Sequence, residues 1–254
     1  MSIDLGNYHL LAIFLVSVAV LLAASELGRS FGARAKADGG GNIATLEGAI
    51  LGLLALMIGF TFAMGLSRFE ARRDAVLLEA NAIGTTALRA RLLPSPQREE
   101  AVELLQEYVD VRLNLSSEDQ VEAAIARSTE IQEALWAITM AVAGRDTGMV
   151  PTGLFVQALN EMIDNQAKRL QAWRGRVPNY VLVGLYAIAI VAFAFAGYGS
   201  GLEVRRTRLA VYVMAVLIAA VILLIQDLDR PGAGFVEISQ QPMVDAAATI
   251  ATYH

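Results

Sequence analysis

The sequence has no cysteine and only two histidines, His9 and His254, which lie near the two ends of the chain. Disulfide bonds and thiol chemistry are therefore excluded, and no His-based metal site or general acid–base pair can be recognised. No glycine-rich loop follows a predicted strand, as phosphate-binding motifs require. The formal net charge of −5 indicates no basic surface for nucleic acid. These absences predict a protein that is not an enzyme and that holds no cofactor or metal ion.

Charged residues are also scarce, at 18% of the chain, and four long windows contain none at all. The windows are Leu5–Ser25, Gly48–Ser67, Val177–Leu202 and Leu209–Gln226. Helices of this length, rising about 1.5 Å per residue, cross a hydrocarbon core about 30 Å thick. The sequence therefore predicts four transmembrane helices. The first window could also be a signal peptide, but it lacks the basic n-region of one, so a retained anchor is favoured.

These windows predict how the chain is divided. Residues 1–67 would form the first two spans, 68–176 a soluble helical bundle, 177–226 the last two spans, and 227–254 a tail packing on the bundle. Prolines mark helix boundaries within the bundle, with Pro96 and Pro151 each at the start of a helix. No segment before Phe235 alternates polar and apolar residues as a strand would. The predicted fold class is an all-α membrane protein with a helical bundle inserted between spans two and three.

The second window continues without a break into a charged helix. Charged residues begin at Arg68, but no proline occurs before Pro94, so one helix is expected to cross the bilayer and project beyond it. One face of the window has a residue every four positions, namely Gly48, Gly52, Leu56, Phe60 and Met64. Two interpretations of this stripe remain open from the pattern: an apolar channel constriction, or helix packing through small residues.

Charge is unevenly distributed over the predicted bundle. Ten acidic residues lie between Glu99 and Glu133, against two arginines in the same interval. They either solvate helix faces or surround a vestibule that concentrates cations. Basic residues collect near the membrane, where Arg68, Arg72 and Arg73 form an arginine collar. This collar would favour anions if it faced a conduit.

Five polar residues on the two long helices next to the membrane are predicted to be structural. They are Glu79, Asn81 and Arg89 on the projecting helix, and Asn160 and Asp164 on the helix leading back to the third span. Such side chains are expected to join the two helices by hydrogen bonds. Truncation of Asn81 would then leave a buried partner unsatisfied, at a cost of about 1–3 kcal/mol.

Several stretches resemble a known family. The chain resembles the bestrophin-like DUF4239 family through EANAIGTTALRARLLP (79–94), ALNEMID (158–164), RVP (176–178) and DLDRPGAGFVEISQQPM (227–243). In addition, GFTFAMGLSRFEARRDAVLLEANAIG (59–84) resembles the second span of bestrophins, in which an apolar helix carries a Gly-Phe pair and ends at an arginine. The first resemblance covers nearly the whole chain, and the second is strongest over one helix.

This resemblance implies an ion channel, because bestrophins are pentameric channels with four spans per subunit and a helical cytosolic domain between spans two and three. Alignment on Gly59, Phe60 and Arg68 would place the pore neck at Gly52, Leu56 and Phe60, where Gly52 departs from the bulky pattern. The C-terminal motif would comprise Asp227, Asp229, Arg230, Gln240 and Gln241. Its two carboxylates are too few for a calcium site of about six to eight oxygens, so pairing with arginine is favoured.

The sequence thus predicts a homo-oligomeric, pentameric ion channel in the lipid bilayer, conducting inorganic ions. The expected location is a bacterial inner membrane. The positive-inside rule slightly favours the side of the bundle as the cytosolic side, and the resemblance implies the same for the bundle and the termini. The four windows hold no ionisable residue at depth, which disfavours a proton-coupled carrier. A stator-type energy transducer would be expected to use polar residues in its later spans, where the last window has little beyond Tyr212. A second class remains open: a non-conducting scaffold or signalling component whose bundle docks a partner.

Overall fold

The structure, a computed structural model, describes residues 9–35, 40–113, 118–145, 150–202, 208–231 and 234–253. Its helices are α1 Leu10–Gly32, α2 Gly40–Ala90, α3 Gln97–Leu113, α4 Glu118–Ala143, α5 Val150–Arg174, α6 Asn179–Leu202, α7 Arg208–Asp229 and α8 Gln241–Ile250, followed by a 3-10 turn at Ala251–Tyr253. No strand occurs in these ranges. The predicted all-α fold is confirmed.

Four helical segments are long and apolar enough to cross a membrane. They correspond to α1, α2, α7 and the stretch Val150–Leu202, whose apolar part is α6. The prediction of four spans is therefore confirmed.

The chain separates into two compact units. The membrane unit comprises Met1–Phe69 and Arg176–Val236, and the bundle unit comprises Glu70–Gly175 and Glu237–His254. The segment 227–254, expected to be one tail, is thus divided: its first part belongs to the membrane unit and the part from Glu237 belongs to the bundle unit.

In the membrane unit, the backbones of α1 and α6 approach each other closely. A Cβ added to Gly28 would lie 2.0 Å from the carbonyl oxygen of Ala194, and one added to Gly197 would lie 2.0 Å from that of Ser25. Lipid tails are as apolar as leucine, so membrane helices associate through close packing, which small residues allow. Glycine is required at both positions because any side chain would force the two helices apart.

Replacing Gly197 with alanine is expected to destabilise the membrane unit, because the added methyl group meets backbone atoms that cannot move independently. Overpacking of this kind costs about 1–3 kcal/mol, and more where nothing can yield. The measurement is the thermal unfolding of the full chain in detergent. The matched control is Gly184→Ala on the same helix, where an added Cβ meets no atom within 4 Å. Equal melting temperatures for the two variants would contradict the close approach.

Hydrogen bonds give the relative direction of α1 and α6. Ser17, in the first half of α1, bonds Tyr186 near the start of α6 at 2.8 Å. Arg29, near the end of α1, reaches Ser200 near the end of α6 at 3.5 Å. Since the contacts follow the same order along both helices, α1 and α6 run parallel.

The other two spans run in the opposite direction. Glu26, near the end of α1, accepts a hydrogen bond from Tyr212 near the start of α7, so α7 is antiparallel to α1. Gly65, near the end of the membrane half of α2, packs against Ile225 and Leu228 near the end of α7. Consequently, the starts of α1 and α6 and the ends of the α2 and α7 spans lie on one side of the membrane unit.

The bundle unit has its own apolar core, built from α2, α3, α4, α5 and α8. Its largest fully buried side chains include Ile83, Leu105, Tyr108, Leu135, Phe155, Leu159 and Met162. Met243 and Ile250 of α8 are equally buried in this core. The last helix of the chain is therefore an integral part of the bundle.

Candidate functional site

The membrane half of α2 packs against its own chain through one face only. Leu54, Thr61 and Gly65 lie on this face and are buried, and the Thr61 hydroxyl donates to the Met57 carbonyl oxygen at 2.7 Å. In the most apolar stretch of α2, 17% of the residues are buried, against 33–39% in the other three candidate spans. The second span is thus the one least covered by its own chain.

The predicted neck residues lie on the opposite face of α2. Leu56 is 55% exposed and Phe60 is 64% exposed, while a Cβ added to Gly52 would meet no atom within 4 Å. The step from Leu54 to Leu56 turns about 200° around the helix axis, which carries the chain from the packed face to the open one. Phe60 is therefore not buried against another span of its own chain, an arrangement that would have excluded it from a neck.

The three residues of the arginine collar differ in their burial. Arg72 is only 3% exposed, and its guanidinium donates to the carbonyl oxygens of Gly175 at 2.8 Å and Ala172 at 3.3 Å. These carbonyls belong to the C-terminal end of α5, where backbone acceptors lack helical partners and a cation is favoured. Arg68 and Arg73 are exposed. Arg72 therefore joins α2 to the end of α5 and does not face a conduit together with Arg68 and Arg73.

A buried charge cluster lies within the bundle unit. The Glu79 carboxylate of α2 accepts hydrogen bonds from Arg112 of α3 at 2.7 Å and from Arg169 of α5 at 2.8 Å. It also accepts one from the Tyr108 hydroxyl at 3.4 Å. Arg169 further donates to the side-chain oxygen of Gln240, which precedes α8, at 2.9 Å. One carboxylate thus connects three helices and the C-terminal segment.

The two buried arginines of this charge cluster depend on Glu79 for a compensating negative charge. One carboxylate faces two guanidinium groups, so the three side chains carry a formal charge of +1. The side chains of Glu79 and Arg112 are 0% and 4% exposed, so water screens their charges little. Burial and the nearby Glu79 carboxylate raise the pKa of Tyr108, so its hydroxyl keeps the proton that it donates. This enclosed arrangement ties helices together.

Of the other residues predicted to be structural, one bonds to the facing helix and three are exposed. Arg89 donates to the Leu154 carbonyl oxygen at 2.8 Å and so joins α2 to α5. Asn81, Asn160 and Asp164 are exposed on the single chain, and no hydrogen bond joins them across the two helices in the described ranges. For Asn81 the reason is helical geometry, since two residues beyond Glu79 the helix has turned by about 200°.

Another residue, not recognised from the sequence, links the same two helices. The Thr86 hydroxyl is fully buried and lies 3.1 Å from the Ala158 carbonyl oxygen of α5. It also lies 2.7 Å from the Ala82 carbonyl oxygen of its own helix. Its position one turn before Arg89 on α2 is the sequence signal that could have indicated this contact.

The aspartates of the C-terminal motif bind backbone amides. The Asp227 carboxylate accepts hydrogen bonds from the amides of Phe235 at 2.7 Å and Val236 at 3.1 Å. Asp229 accepts one from the amide of Val177 at 2.8 Å. Both carboxylates thus stabilise non-helical segments, one before α6 and one after α7. Among the described residues, no group of three or more His, Cys, Asp or Glu is placed to bind a metal ion.

The two glutamines of the motif lie in the bundle unit. Gln240 accepts the hydrogen bond from Arg169, and its own amide donates to the Ile238 carbonyl oxygen at 3.2 Å. Gln241 is exposed and donates to Asp245 one turn along α8, at 2.8 Å. Gln240 therefore connects the charge cluster to the start of α8, while Gln241 supports α8 itself.

The fold and the open face of α2 define a four-span membrane protein with a helical bundle between its second and third spans. The chain belongs to the bestrophin-like family, because a family model described as bestrophin-like domain matches residues 13–243. No curated protein matches the sequence.

Solved structures share the fold at low sequence identity. Two variants of a bacterial bestrophin homologue from Klebsiella pneumoniae match with TM-scores of 0.71 and 0.70, at 14% and 13% identity. The matches cover 96% and 95% of this chain and 98% and 97% of those chains. Another structure of the homologue has a TM-score of 0.64 at 16% identity, covering 96% of this chain and 98% of that one. These similarities establish the fold.

Proposed function

We propose that the protein is one subunit of a pentameric ion channel whose neck is lined by Gly52, Leu56 and Phe60 of α2. The observation that carries this proposal is the apolar face of α2 that its own chain leaves open. Membership of the bestrophin-like family supports it, since bestrophins, which the sequence resembles, are ion channels. The channel would lie in a bacterial inner membrane and conduct inorganic ions.

The low burial of α2 within its own chain favours contact of its open face with neighbouring subunits over contact with lipid. Every span of a lone subunit would meet the same lipid, yet α2 has about half the buried share of the others. Its open face also includes Gly48 and Gly52, which allow close approach of another helix. A span surrounded by other subunits needs few contacts within its own chain.

An apolar neck can control ion flow without any charged group. A narrow ring of leucine and phenylalanine side chains disfavours water, so a hydrated ion meets a barrier there. Gly52 has no side chain to narrow its level, whereas Leu56 and Phe60 both do. The constriction is therefore proposed at Leu56 and Phe60, with a wider passage at Gly52.

Bilayer recordings and a subunit count together test this proposal. The full chain, reconstituted in planar bilayers under asymmetric NaCl, should give discrete currents that protein-free bilayers lack. Mass measurement in detergent should give five subunits. A monomer or dimer without an axial path would instead favour the non-conducting scaffold.

The side of the membrane on which the bundle lies is proposed to be the cytosol. The resemblance to bestrophins and the slight excess of basic residues on this side support the cytosol. The starts of α1 and α6 and the ends of the α2 and α7 spans share one side of the membrane unit. The two connections to the bundle and both ends of the chain would then emerge together.

Exposed charges favour cations as the permeant ions. Between residues 68 and 74 the exposed charges are Arg68, Glu70, Arg73 and Asp74, and these two cations and two anions cancel. Arg72, which would have added positive charge, is buried at the end of α5. The exposed carboxylates of α3 and α4 are then proposed to raise the local cation concentration.

A reversal potential measured under a NaCl gradient should therefore shift towards the sodium equilibrium potential. The double variant Glu70→Gln, Asp74→Asn should weaken this preference, because it leaves Arg68 and Arg73 uncompensated. The preference should also fall with salt, as the Debye length shortens from about 10 Å at 0.1 M to about 3 Å at 1 M. Glu237→Gln, at an exposed position in the C-terminal segment, is the control. A shift of the wild-type potential towards chloride rejects cation selectivity.

A further inference from the structure

The bundle unit has an open groove of about 560 Å³ where the end of α2, the start of α3 and the 3-10 turn after α8 meet. It is called the α2–α3 groove below. Its apolar lining consists of Val102, which is 2% exposed, and of Leu88 and Leu92, which are 52% and 51% exposed. Sites for small molecules commonly have volumes of about 300–1,000 Å³ and a largely apolar lining with a few polar groups. The α2–α3 groove therefore has the size of such a site.

One cation of the α2–α3 groove is held in position without a carboxylate. The Arg91 guanidinium lies 4.8 Å from the centre of the Tyr253 ring, which is the distance of a cation–π contact. Tyr253 itself packs on the apolar core of the bundle unit, so the ring is anchored. Among the described residues, Arg91 has no ion pair. A ring contact gives none of the five N–H donors of a guanidinium an oxygen acceptor, so Arg91 is able to bind an anion.

The second cation of the groove is already neutralised. Arg98 donates to the Glu99 carboxylate at 2.8 Å and 3.3 Å, and the Ser95 hydroxyl donates to the same oxygen at 2.9 Å. The hydrogen bonds from Arg98, from the backbone amide of Glu99 and from Ser95 lower the pKa of Glu99 to about 2, so this carboxyl group stays ionised at neutral pH. Two arginines and one glutamate leave the groove lining with a formal charge of +1, and this charge lies on Arg91.

We propose that the α2–α3 groove binds a small organic acid, with its carboxylate on Arg91 and its apolar part against Leu88, Leu92 and Val102. This site lies outside the proposed neck, so the inference goes beyond the proposed function and does not depend on ion conduction. The bound acid would contact the end of α2, α3 and the 3-10 turn at the same time. It should therefore stabilise the bundle unit in proportion to its occupancy.

The charge and the polarity of the lining select this class of ligand. A lining of +1 is balanced by one carboxylate, whereas a phosphate monoester carries about −1.5 to −2 at neutral pH. The planar fork of a guanidinium also matches the two oxygens of a carboxylate. The two exposed leucines favour an acid with an apolar part over a simple ion, because such a ligand removes their surface from water.

Binding of 4-phenylbutyrate to the full chain in lipid nanodiscs tests the two halves of this recognition. Isothermal titration calorimetry at pH 7 measures the affinity. Two related compounds are the comparison, since 4-phenylbutanol lacks the carboxylate and acetate lacks the apolar part. The acid is expected to bind more tightly than either of them, and to raise the unfolding temperature of the protein as its concentration rises.

A variant of the cation tests the site itself. Arg91→Gln should weaken the binding of 4-phenylbutyrate about 10- to 100-fold, as expected for the loss of a hydrogen bond between charged groups. The matched control is Arg145→Gln, at an exposed arginine that does not line the groove, and it should bind like the wild type. Uptake of the probe by lipid is the same in all three samples and therefore cancels in the comparison.

A second pair of variants tests the positioning of Arg91 by the ring. Tyr253→Leu should weaken binding although Arg91 is still present, because the group that positions the guanidinium is lost. Tyr253→Phe keeps the ring and should bind like the wild type. Arg91→Gln lies at an exposed position, so it remains a test of the groove even if Tyr253→Leu lowers the stability of the bundle unit.

Each other outcome overturns the inference. Equal affinities of the wild type and Arg91→Gln exclude Arg91 as the binding group, and 4-phenylbutanol binding as well as the acid indicates uptake on an apolar surface only. Acetate binding as well as the acid leaves a simple ion site. The absence of any binding also rejects the groove as a ligand site. A protein that conducts ions without binding the acid would leave the proposed function intact, and one that binds the acid without conducting would leave this inference intact.

Discussion

Replacing Phe60 with alanine is expected to raise the conductance or the open probability of the reconstituted channel. Phe60 is the bulkiest side chain on the open face of α2, so its truncation widens the proposed constriction and allows water to fill it. Single-channel recording of the wild type and the variant in the same bilayers measures both quantities.

The control for this experiment is Phe31→Ala. Phe31 lies on α1 and is 62% exposed, close to the 64% of Phe60, but it is not on α2. Loss of a phenylalanine side chain at Phe31 should leave the current unchanged. If Phe60→Ala conducts like the wild type, or if both variants change the current equally, the proposed neck is in the wrong place.

Replacing Glu79 with glutamine is expected to destabilise the bundle unit severely. The variant retains the shape of the side chain but leaves Arg112 and Arg169 as two buried cations without a compensating carboxylate. Removing one partner from a buried ion pair costs about 3–5 kcal/mol, because the remaining charge keeps its desolvation penalty. Thermal and denaturant unfolding of the full chain, followed by helical circular dichroism, measures the loss.

Two further variants separate this charge effect from the loss of a hydrogen bond. Arg112→Met should cost less than Glu79→Gln, because it leaves Glu79 paired with Arg169 and removes the excess positive charge. Glu133→Gln, at an exposed position of α4, should leave the stability nearly unchanged. If Arg112→Met is as damaging as Glu79→Gln, the excess charge of the cluster is not what makes Glu79 essential.

The sequence predicts those parts of the fold that are determined by residues close together in the chain. Long windows without charge require helices in a bilayer, which made the number of spans predictable. Prolines set helix starts to within one residue, since α3 begins at Gln97 after Pro96 and α5 begins at Val150 before Pro151. The four-residue repeat on the second span likewise identified a single face of α2, and that face is the open one.

The contacts that the sequence did not predict join residues far apart in the chain. Glu79 lies 33 residues from Arg112 and 90 from Arg169, so no local pattern could indicate that they meet. Arg72 looks like any cation near a membrane until the end of α5 is known to lie beside it. Asp227 resembles part of an acidic motif, yet its partners are amides eight and nine residues later.

Asn81 shows a different limit of sequence analysis. Its polarity indicated a buried hydrogen bond, but its position in the helical repeat places it opposite Glu79, on the open face of α2. The position in the repeat was therefore more informative than the residue type.

The backbone contact between α1 and α6 has a mechanical consequence. Helices that touch through side chains can slide past each other as rotamers adjust. Where backbones meet, as at Gly28 and Gly197, no side chain is present to adjust, so sliding is restricted. We therefore expect α1 and α6 to move together as one rigid body. If the proposed channel opens by widening at its neck, α1 and α6 would move together, and the change would come from a movement of α2, or of α2 with α7, relative to them.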